Sequence, residues 1–378
     1  MTATITPFKI AIDDAQIEDL QQRLRMTRFP NTFSRDWSRG QAVPFIRELA
    51  EQWLNDYDWR TWEAKLNAYP QFLTEIDGQT IHFLHVRSPE PDAVPLVLTH
   101  GWPSSFVEFL PIIDQLTNPS AHGSPGAQAF HLVIPSLPGY GFSTPLAGPG
   151  WEAVRTAAAW DVLMKRLGYA RYGAQGGDGG ALVSRELAIL APEALIGVHL
   201  QQVFAFPSGA PGEMDKLSPF ELAGFANLEK FQKYNGYADI QSKRPGTHAY
   251  GLVDSPAAQL AWNAELFFGF EGEAVASMDR DLFLTNAAIY WFTNSGSEQG
   301  NFFFESAQTG GGYREIPTAV PTAVASFPND FRSVRTFVER SFSNIVQWSE
   351  MESGGHFATI DAPDALVADM RSFFSQVR

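Results

Sequence analysis

Apolar positions recur along this chain with three spacings, and the order of those spacings outlines a fold. Near the N-terminal end Ile17, Leu20 and Leu24 lie three and four residues apart behind Asp13 and Asp14. That predicts an amphipathic helix within residues 9–30 with an acidic cap, ended by Thr27-Arg28-Phe29-Pro30. Further helices are predicted near 44–56 and 58–67. Trp37, Trp53, Tyr57, Trp59, Trp62 and Tyr69 crowd this segment, which suits an arm wrapped over an apolar surface.

From residue 72 the period becomes two. The runs 72–76 and 80–86 flank Asp77-Gly78, a turn pair that predicts a hairpin. Short, continuously apolar runs at 95–99, 130–134 and 195–200 predict strands buried on both faces. Helical patterns at 106–116 and 153–167 lie between them. Strand alternating with helix implies a mostly parallel sheet joined by right-handed crossovers. The rhythm breaks near 205, where 218–235, 256–268 and 279–293 read as helices with no strand between. It resumes with strands at 318–326 and 345–348 and a last helix at 363–376. The predicted organisation is an N-terminal arm (1–75), a first part of an α/β core (76–205), a helical cap (206–315) and the second part of the core (316–378). No repeat, low-complexity stretch or long linker interrupts it.

Composition narrows the function. With 378 residues the chain exceeds one simple core, in keeping with a main domain plus additions. Its 27 basic against 42 acidic residues give a net charge of −15, which argues against nucleic acid or an anionic membrane as partner. Hydrophobic residues at 44% and aromatics at 13% can line apolar cavities. Cysteine is absent, which excludes disulfides, thiol chemistry and cysteine metal sites. The start of the chain does not read as a signal peptide, and no stretch is long and apolar enough to span a bilayer. A cytoplasmic enzyme without cofactor or metal is the expectation, with a homodimer as one association state.

The chemistry centres on Gly176-Gly177-Asp178-Gly179-Gly180. A small residue two before and two after a nucleophile is the pattern of a nucleophile elbow, a sharp strand-to-helix turn that exposes the residue at its tip. Here the tip is Asp178, and a carboxylate needs no base to be nucleophilic at pH 7. Alone, the motif reads better as a glycine-rich turn with one Asp. Its weight comes from what accompanies it. His100-Gly101-Trp102-Pro103 follows the 95–99 strand, where a tight turn can aim backbone N–H groups at an anion. Gly354-Gly355-His356-Phe357 follows the last predicted strand. In α/β-hydrolases the chain order is nucleophile, acid, histidine, which Asp178 and His356 satisfy. Asp330, in Phe327-Pro328-Asn329-Asp330 after the 318–326 strand, is the candidate acid. Glu350 and Glu352 sit too near His356 in sequence to reach its ring easily, and Asp361 breaks the order. His82 and His85 fall on opposite faces of a strand, which disfavours a metal pair.

Taken together these motifs resemble the microsomal-type branch of the epoxide hydrolases, which have the α/β-hydrolase fold. The resemblance includes the elbow, the stretch 100–109, Gly139-Tyr140-Gly141-Phe142-Ser143, the Asp330 and His356 motifs, the arm ending Arg28-Phe29-Pro30 and the stretch 236–245. It spans nearly the whole chain. It implies that an epoxide is the small-molecule substrate and that Asp178 opens it to an ester. It also implies that Tyr237 donates to the epoxide oxygen and that His356, oriented by Asp330, activates water. The N–H groups of Trp102 and Gly179 would hold the oxyanion, and Trp102, Phe303 and Tyr313 would line the substrate pocket. Two positions depart from the family pattern. Gly179 stands where Trp is usual, which implies a wider or differently shaped pocket. Phe303 stands where a second cap tyrosine is usual, so that Tyr237 acts alone, another donor such as Tyr313 substitutes, or the substrate differs. The alternatives are a dehalogenase with the same Asp nucleophile and a weakly active or non-catalytic binding member of the fold.

Overall fold

In a computed structural model, which describes residues 4–31 and 35–378, nine strands form one sheet. They are β1 (Thr6–Phe8), β2 (Gln71–Ile76), β3 (Gln79–Val86), β4 (Val94–Thr99), β5 (Phe130–Pro135), β6 (Tyr172–Gly176), β7 (Leu195–Leu200), β8 (Thr322–Ser326) and β9 (Ile345–Glu350). Their order across the sheet is β1-β2-β3-β5-β4-β6-β7-β8-β9. The three pairings from β1 to β5 are antiparallel. From β5 onward every pairing is parallel. The expected mostly parallel sheet is present, with an antiparallel margin built from the Asp77-Gly78 hairpin.

Alternation along the strands sorts side chains to two faces. Phe83, Val97, Val133, Val198 and Val324 pack with helices Ala153–Arg166 and Gly179–Leu190. Leu84, Leu96, Leu98, Leu132 and Ile134 join a second cluster with helices Leu110–Thr117 and Pro363–Val377. Each fully buried Leu, Val or Phe contributes roughly 1.5–3 kcal/mol by leaving water, so both layers are held mainly by these strands.

The second cluster continues through Leu20, Leu49 and Trp53 of the N-terminal helices into helices Pro256–Phe267 and Arg280–Phe292. Phe45 meets Phe268 edge-on at 4.9 Å between ring centroids, Trp59 meets Phe292 at 4.9 Å, and the Tyr57 hydroxyl lies 3.0 Å from Thr285 Oγ1. The N-terminal segment thus clasps the helices inserted between β7 and β8, while β1 ties it to the sheet edge.

Some elements differ from the sequence reading. The strand expected over 318–326 begins only at Thr322. Pro321 has no N–H to give to a ladder, and ahead of it Thr318 makes one isolated bridge to Phe342. The helix expected at 106–116 opens as a 3₁₀ turn, Phe106–Phe109, before Leu110–Thr117. Between β7 and β8 the described residues form no strand, but three helices go unpredicted: Gly236–Lys243, Pro245–Asp254 and Asn301–Thr309. None of the helices among the described residues is long and apolar enough to cross a membrane.

Candidate active site

Three loops at the carboxyl ends of β4, β6 and β8, with a fourth after β9, converge on Asp178. At the end of β6 the chain turns through φ +49°, ψ −124° at Asp178 and enters helix Gly179–Leu190. A non-glycine residue at positive φ is strained, and only tight surroundings hold it there. The flanking glycines permit the approach. A Cβ on Gly176 would stand 2.3 Å from the Gly180 carbonyl carbon, and one on Gly180 would stand 1.8 Å from the Thr99 carbonyl oxygen. Gly101 is as constrained, since a Cβ there would lie 2.4 Å from Asp178 Oδ1.

The loop after β4 is held by His100. Its Nδ1 lies 3.0 Å from the Gly101 carbonyl, and the Leu137 N–H donates to its Nε2 at 3.1 Å. A carbonyl can only accept and an N–H only donate, so the ring is neutral with its proton on Nδ1. Burial lowers its pKa to about 4. The following residue, Trp102, donates its backbone N–H to Asp178 Oδ1 at 3.0 Å. Its buried indole N–H donates to Gln299 Oε1 at 2.6 Å.

His356 Nδ1 lies 3.0 Å from Asp330 Oδ1, and its Nε2 lies 3.9 Å from Asp178 Oδ2. The loops carrying Asp330 and His356 are themselves paired, by Asn329 N–H to the Gly354 carbonyl at 3.2 Å. Burial works against the His356 cation. The charges of Asp330, Asp178 and Glu108 and the bond to Asp330 outweigh it and push the imidazole up to about 9. Burial likewise opposes an ionised Asp330. The His356 cation and the bonds from His356 and Gln202 overcome it and hold the carboxyl below its ordinary value. Of the competing acids, Glu350 accepts from Ser218 Oγ at 3.1 Å away from the imidazole, and Glu352 is exposed. Asp361 lies beside Gly355, where burial pushes it up to about 6.

Above Asp178 stands an aromatic cluster. Tyr237, in the first turn of helix Gly236–Lys243, stacks on Trp102 with centroids 4.6 Å apart and planes 19° apart. Burial, then the Asp178 charge, raises its pKa well above that of a free phenol. Phe303 meets Trp102 and Tyr237 edge-on at 6.0 and 6.3 Å. Beside Gly179 the space is filled: Phe302 Cε1 would lie 3.4 Å from a Cβ at 179. Phe302, from helix Asn301–Thr309, supplies an aromatic wall on this side. Of the two expectations for that glycine, a wider or a differently shaped pocket, this accords with the second. The Tyr313 ring is outside this cluster, although its phenol is near enough to interact electrostatically with Asp178 and Tyr237. It packs on Phe204 at 6.1 Å and lines a cleft of about 570 Å³ with Val203, Arg185 and Arg340. Although 47% of its surface is exposed, desolvation at its phenol and the Asp178 charge push it up to about 12.

Sequence reasoning missed three contributors. Gln202 is buried; its Oε1 accepts the Asp178 N–H at 2.8 Å and its Nε2 donates to Asp330 Oδ2. Gln201 Nε2 donates to the carbonyls of Gly355 and His356 at 3.2 and 2.7 Å. Glu108 is buried near both Asp178 and His356, and burial pushes it up to about 8. Its place in the 100–109 stretch was the available signal. His82, by contrast, is buried between Ser136 Oγ and Gln71 Oε1, both 2.9 Å away.

A mostly parallel sheet with an Asp at a strained strand-to-helix turn, and an Asp–His pair on later loops, defines an α/β-hydrolase fold. Residues 94–237 match the model of the alpha/beta hydrolase fold, and residues 5–109 match that of the epoxide hydrolase N terminus. A putative epoxide hydrolase of Stigmatella aurantiaca is 40% identical over 99% of this chain and 86% of its own length. The structure of Aspergillus niger epoxide hydrolase superposes with a TM-score of 0.85 at 34% identity, over 99% of this chain and 97% of that one. Juvenile hormone epoxide hydrolase from Bombyx mori gives 0.88 at 28% identity, over 100% and 95%. This chain belongs to the epoxide hydrolase family, as its motifs implied.

Proposed function

We propose that the protein hydrolyses an epoxide to a vicinal diol through an ester on Asp178. The observation that carries the reading is the division of labour between the two oxygens of that carboxylate. Oδ1 is held by the Trp102 N–H, whereas Oδ2 faces His356 Nε2 across 3.9 Å. Oδ2 is then the attacking atom. It forms a bond to an epoxide carbon as the carbon–oxygen bond of the ring breaks, and the Tyr237 phenol gives its proton to the departing oxygen. In the second half, water adds to the ester carbonyl and His356 Nε2 takes its proton. The charge that develops on Oδ1 is met by the N–H groups of Trp102 and Gly179. The acyl–oxygen bond breaks and the water's second proton, left on the Asp178 carboxyl, passes to the departing alkoxide, so the diol leaves with Asp178 ionised and His356 a cation again.

The raised pKa of His356 fits this order. In the resting site the imidazole is a cation between two carboxylates, unable to act as a base. Ester formation removes the negative charge of Asp178, one of the causes of the rise, so the His356 cation gives up its proton, which restores the Tyr237 phenol, and the imidazole is a base when water must be activated. Asp330 steadies its Nδ1–H throughout.

Trp102, Tyr237, Phe302 and Phe303 around Asp178 suit an apolar or aryl epoxide better than a charged one. A dehalogenase would turn an indole N–H toward the halide, but that of Trp102 is engaged by Gln299. The N-terminal arm and the helices between β7 and β8 serve as clasp and cap of the pocket, and a cytoplasmic location accords with the acidic composition. A panel of epoxides and haloalkanes, read for diol and for halide, tests the proposal. Diol from at least one epoxide is expected; halide release without diol would replace it with the dehalogenase reading.

A further inference from the structure

β7 ends at Leu200, and the two residues after it are both glutamine, both buried. The Gln201 N–H still continues the parallel ladder, donating to the Gly176 carbonyl at 3.1 Å. Side chains alternate at the end of a strand, so the pair reaches two different loops. Gln201 grips the backbone of the His356 loop through the carbonyls of Gly355 and His356. Gln202 stands between Asp178 and Asp330.

The orientation of the Gln202 amide is set by chemistry. The Asp178 N–H can only donate, so it meets Oε1; Nε2 is left to face Asp330 Oδ2, where it donates. Asp330 thus receives a donor at each oxygen, His356 Nδ1–H at Oδ1 and Gln202 Nε2–H at Oδ2. A proton on Oδ2 would point at an amide that already donates. The other titratable groups close enough to act on Asp330 are Asp361, in the helical turn after His356, and Tyr237. Burial opposes its charge, as both of these groups do when ionised, and His356, Gln202 and the Phe331 N–H offset them. At its other end the amide satisfies an N–H that belongs to a strained residue at a helix start, where no intrahelical acceptor exists.

We propose that Gln202 is a positioning residue that couples the two halves of the reaction. It holds Asp330 ionised, and so His356 oriented, from the same side chain that fixes the backbone of Asp178. Gln201 sets the height of the imidazole by holding its loop. The inference rests on the assignment of Asp178, Asp330 and His356 made above.

Single-turnover kinetics with styrene oxide test it, ester formation and ester hydrolysis being followed separately by rapid quench and mass spectrometry. Gln202→Glu keeps an oxygen for the Asp178 N–H but sets a second carboxylate against Asp330. Two carboxylates in contact share a proton, which takes charge from the group that orients His356. Ester formation should stay within about threefold of the unsubstituted protein, while ester hydrolysis should fall about 10- to 100-fold, as for loss of one charge-assisted hydrogen bond. An acidic limb set by ionisation of the paired carboxyls, rather than by His356, should appear at higher pH than the ionisation of Asp330 alone. Gln202→Met removes both bonds at similar volume and should slow both phases; it also serves if the Glu variant does not fold. Loss of thermal stability alone, with the ratio of the two phases and the pH limb unchanged in both variants, would overturn the proposal. If the unsubstituted protein forms no ester at all, it is the covalent reading that fails.

Discussion

Phe302 packs over the Cα of Gly179, its Cε1 3.4 Å from where a Cβ at that position would stand. An aromatic wall thus stands beside the nucleophile although the residue after Asp178 is glycine, and it comes from helix Asn301–Thr309. Gly179→Trp should therefore collide with Phe302. Overpacking of this kind destabilises by about 1–3 kcal/mol, and turnover should fall at least ~tenfold. Phe302→Ala in the same chain should recover most of both losses. Melting temperature and kcat/KM of the two single variants and the double variant check this. Additive losses would mean that the two side chains do not share the space.

Tyr237 is the one phenol in the aromatic cluster on Trp102, because Phe303 cannot donate a proton. Tyr237→Phe keeps the stacked ring and removes only the hydroxyl, so the fold should be unaffected. With no second phenol in the cluster, kcat should fall roughly 10²-fold or more. Phe303→Tyr should raise the rate on simple epoxides if its hydroxyl reaches the oxygen. A Tyr237→Phe rate within about threefold of the unsubstituted protein would assign protonation to another group, and Tyr313, whose phenol feels the Asp178 charge, would be the next to replace.

The sheet was legible because its strands are buried on both faces, so Leu96–Leu98 or Leu132–Ile134 read as unbroken apolar runs wherever they are met. Asp178, Asp330 and His356 could be chosen because local glycines and chain order mark them. Helices Gly236–Lys243 and Pro245–Asp254 were not legible. They are short, lie one after the other and bury little, so no apolar stripe repeats along them. Gln202 was invisible for another reason: its two partners are 24 and 128 residues away, and nothing in its neighbourhood announces either. Phe302 read as one ring in a run of three until the backbone showed which of them meets Gly179.

Glu108 supplies a pH test. Burial raises it to about 8, and its bond to Ser104 and the His356 cation only partly offset this. A carboxyl whose folded pKa exceeds its unfolded value loses stabilising effect as pH rises from the unfolded value through the folded one. Relative to Glu108→Gln, the unsubstituted protein should lose stability from about pH 4.5 to 8, then no more. The variant should keep turnover at pH 7 within a few-fold, since both forms are neutral there. Melting curves across that range decide it; a difference that does not change with pH would show that Glu108 is not held protonated.

His356 should titrate near 9 in the resting protein, followed by ring-proton NMR. In the ester the Asp178 charge is gone, so the limb of the ester-hydrolysis rate should fall at least about one unit lower. Equal values in the two states would remove the account of how the imidazole becomes a base.

The most direct test of the account is the mass of the peptide that carries Asp178. His356→Gln removes the base for the second half-reaction and leaves the attacking carboxylate in place, so the ester should accumulate. After exposure to epoxide and rapid acid quench, that peptide should be heavier by the full mass of the epoxide, with no adduct when Asp178→Asn is added. An unmodified Asp178 peptide, in a folded His356→Gln variant shown to bind the epoxide, would contradict covalent catalysis by this residue.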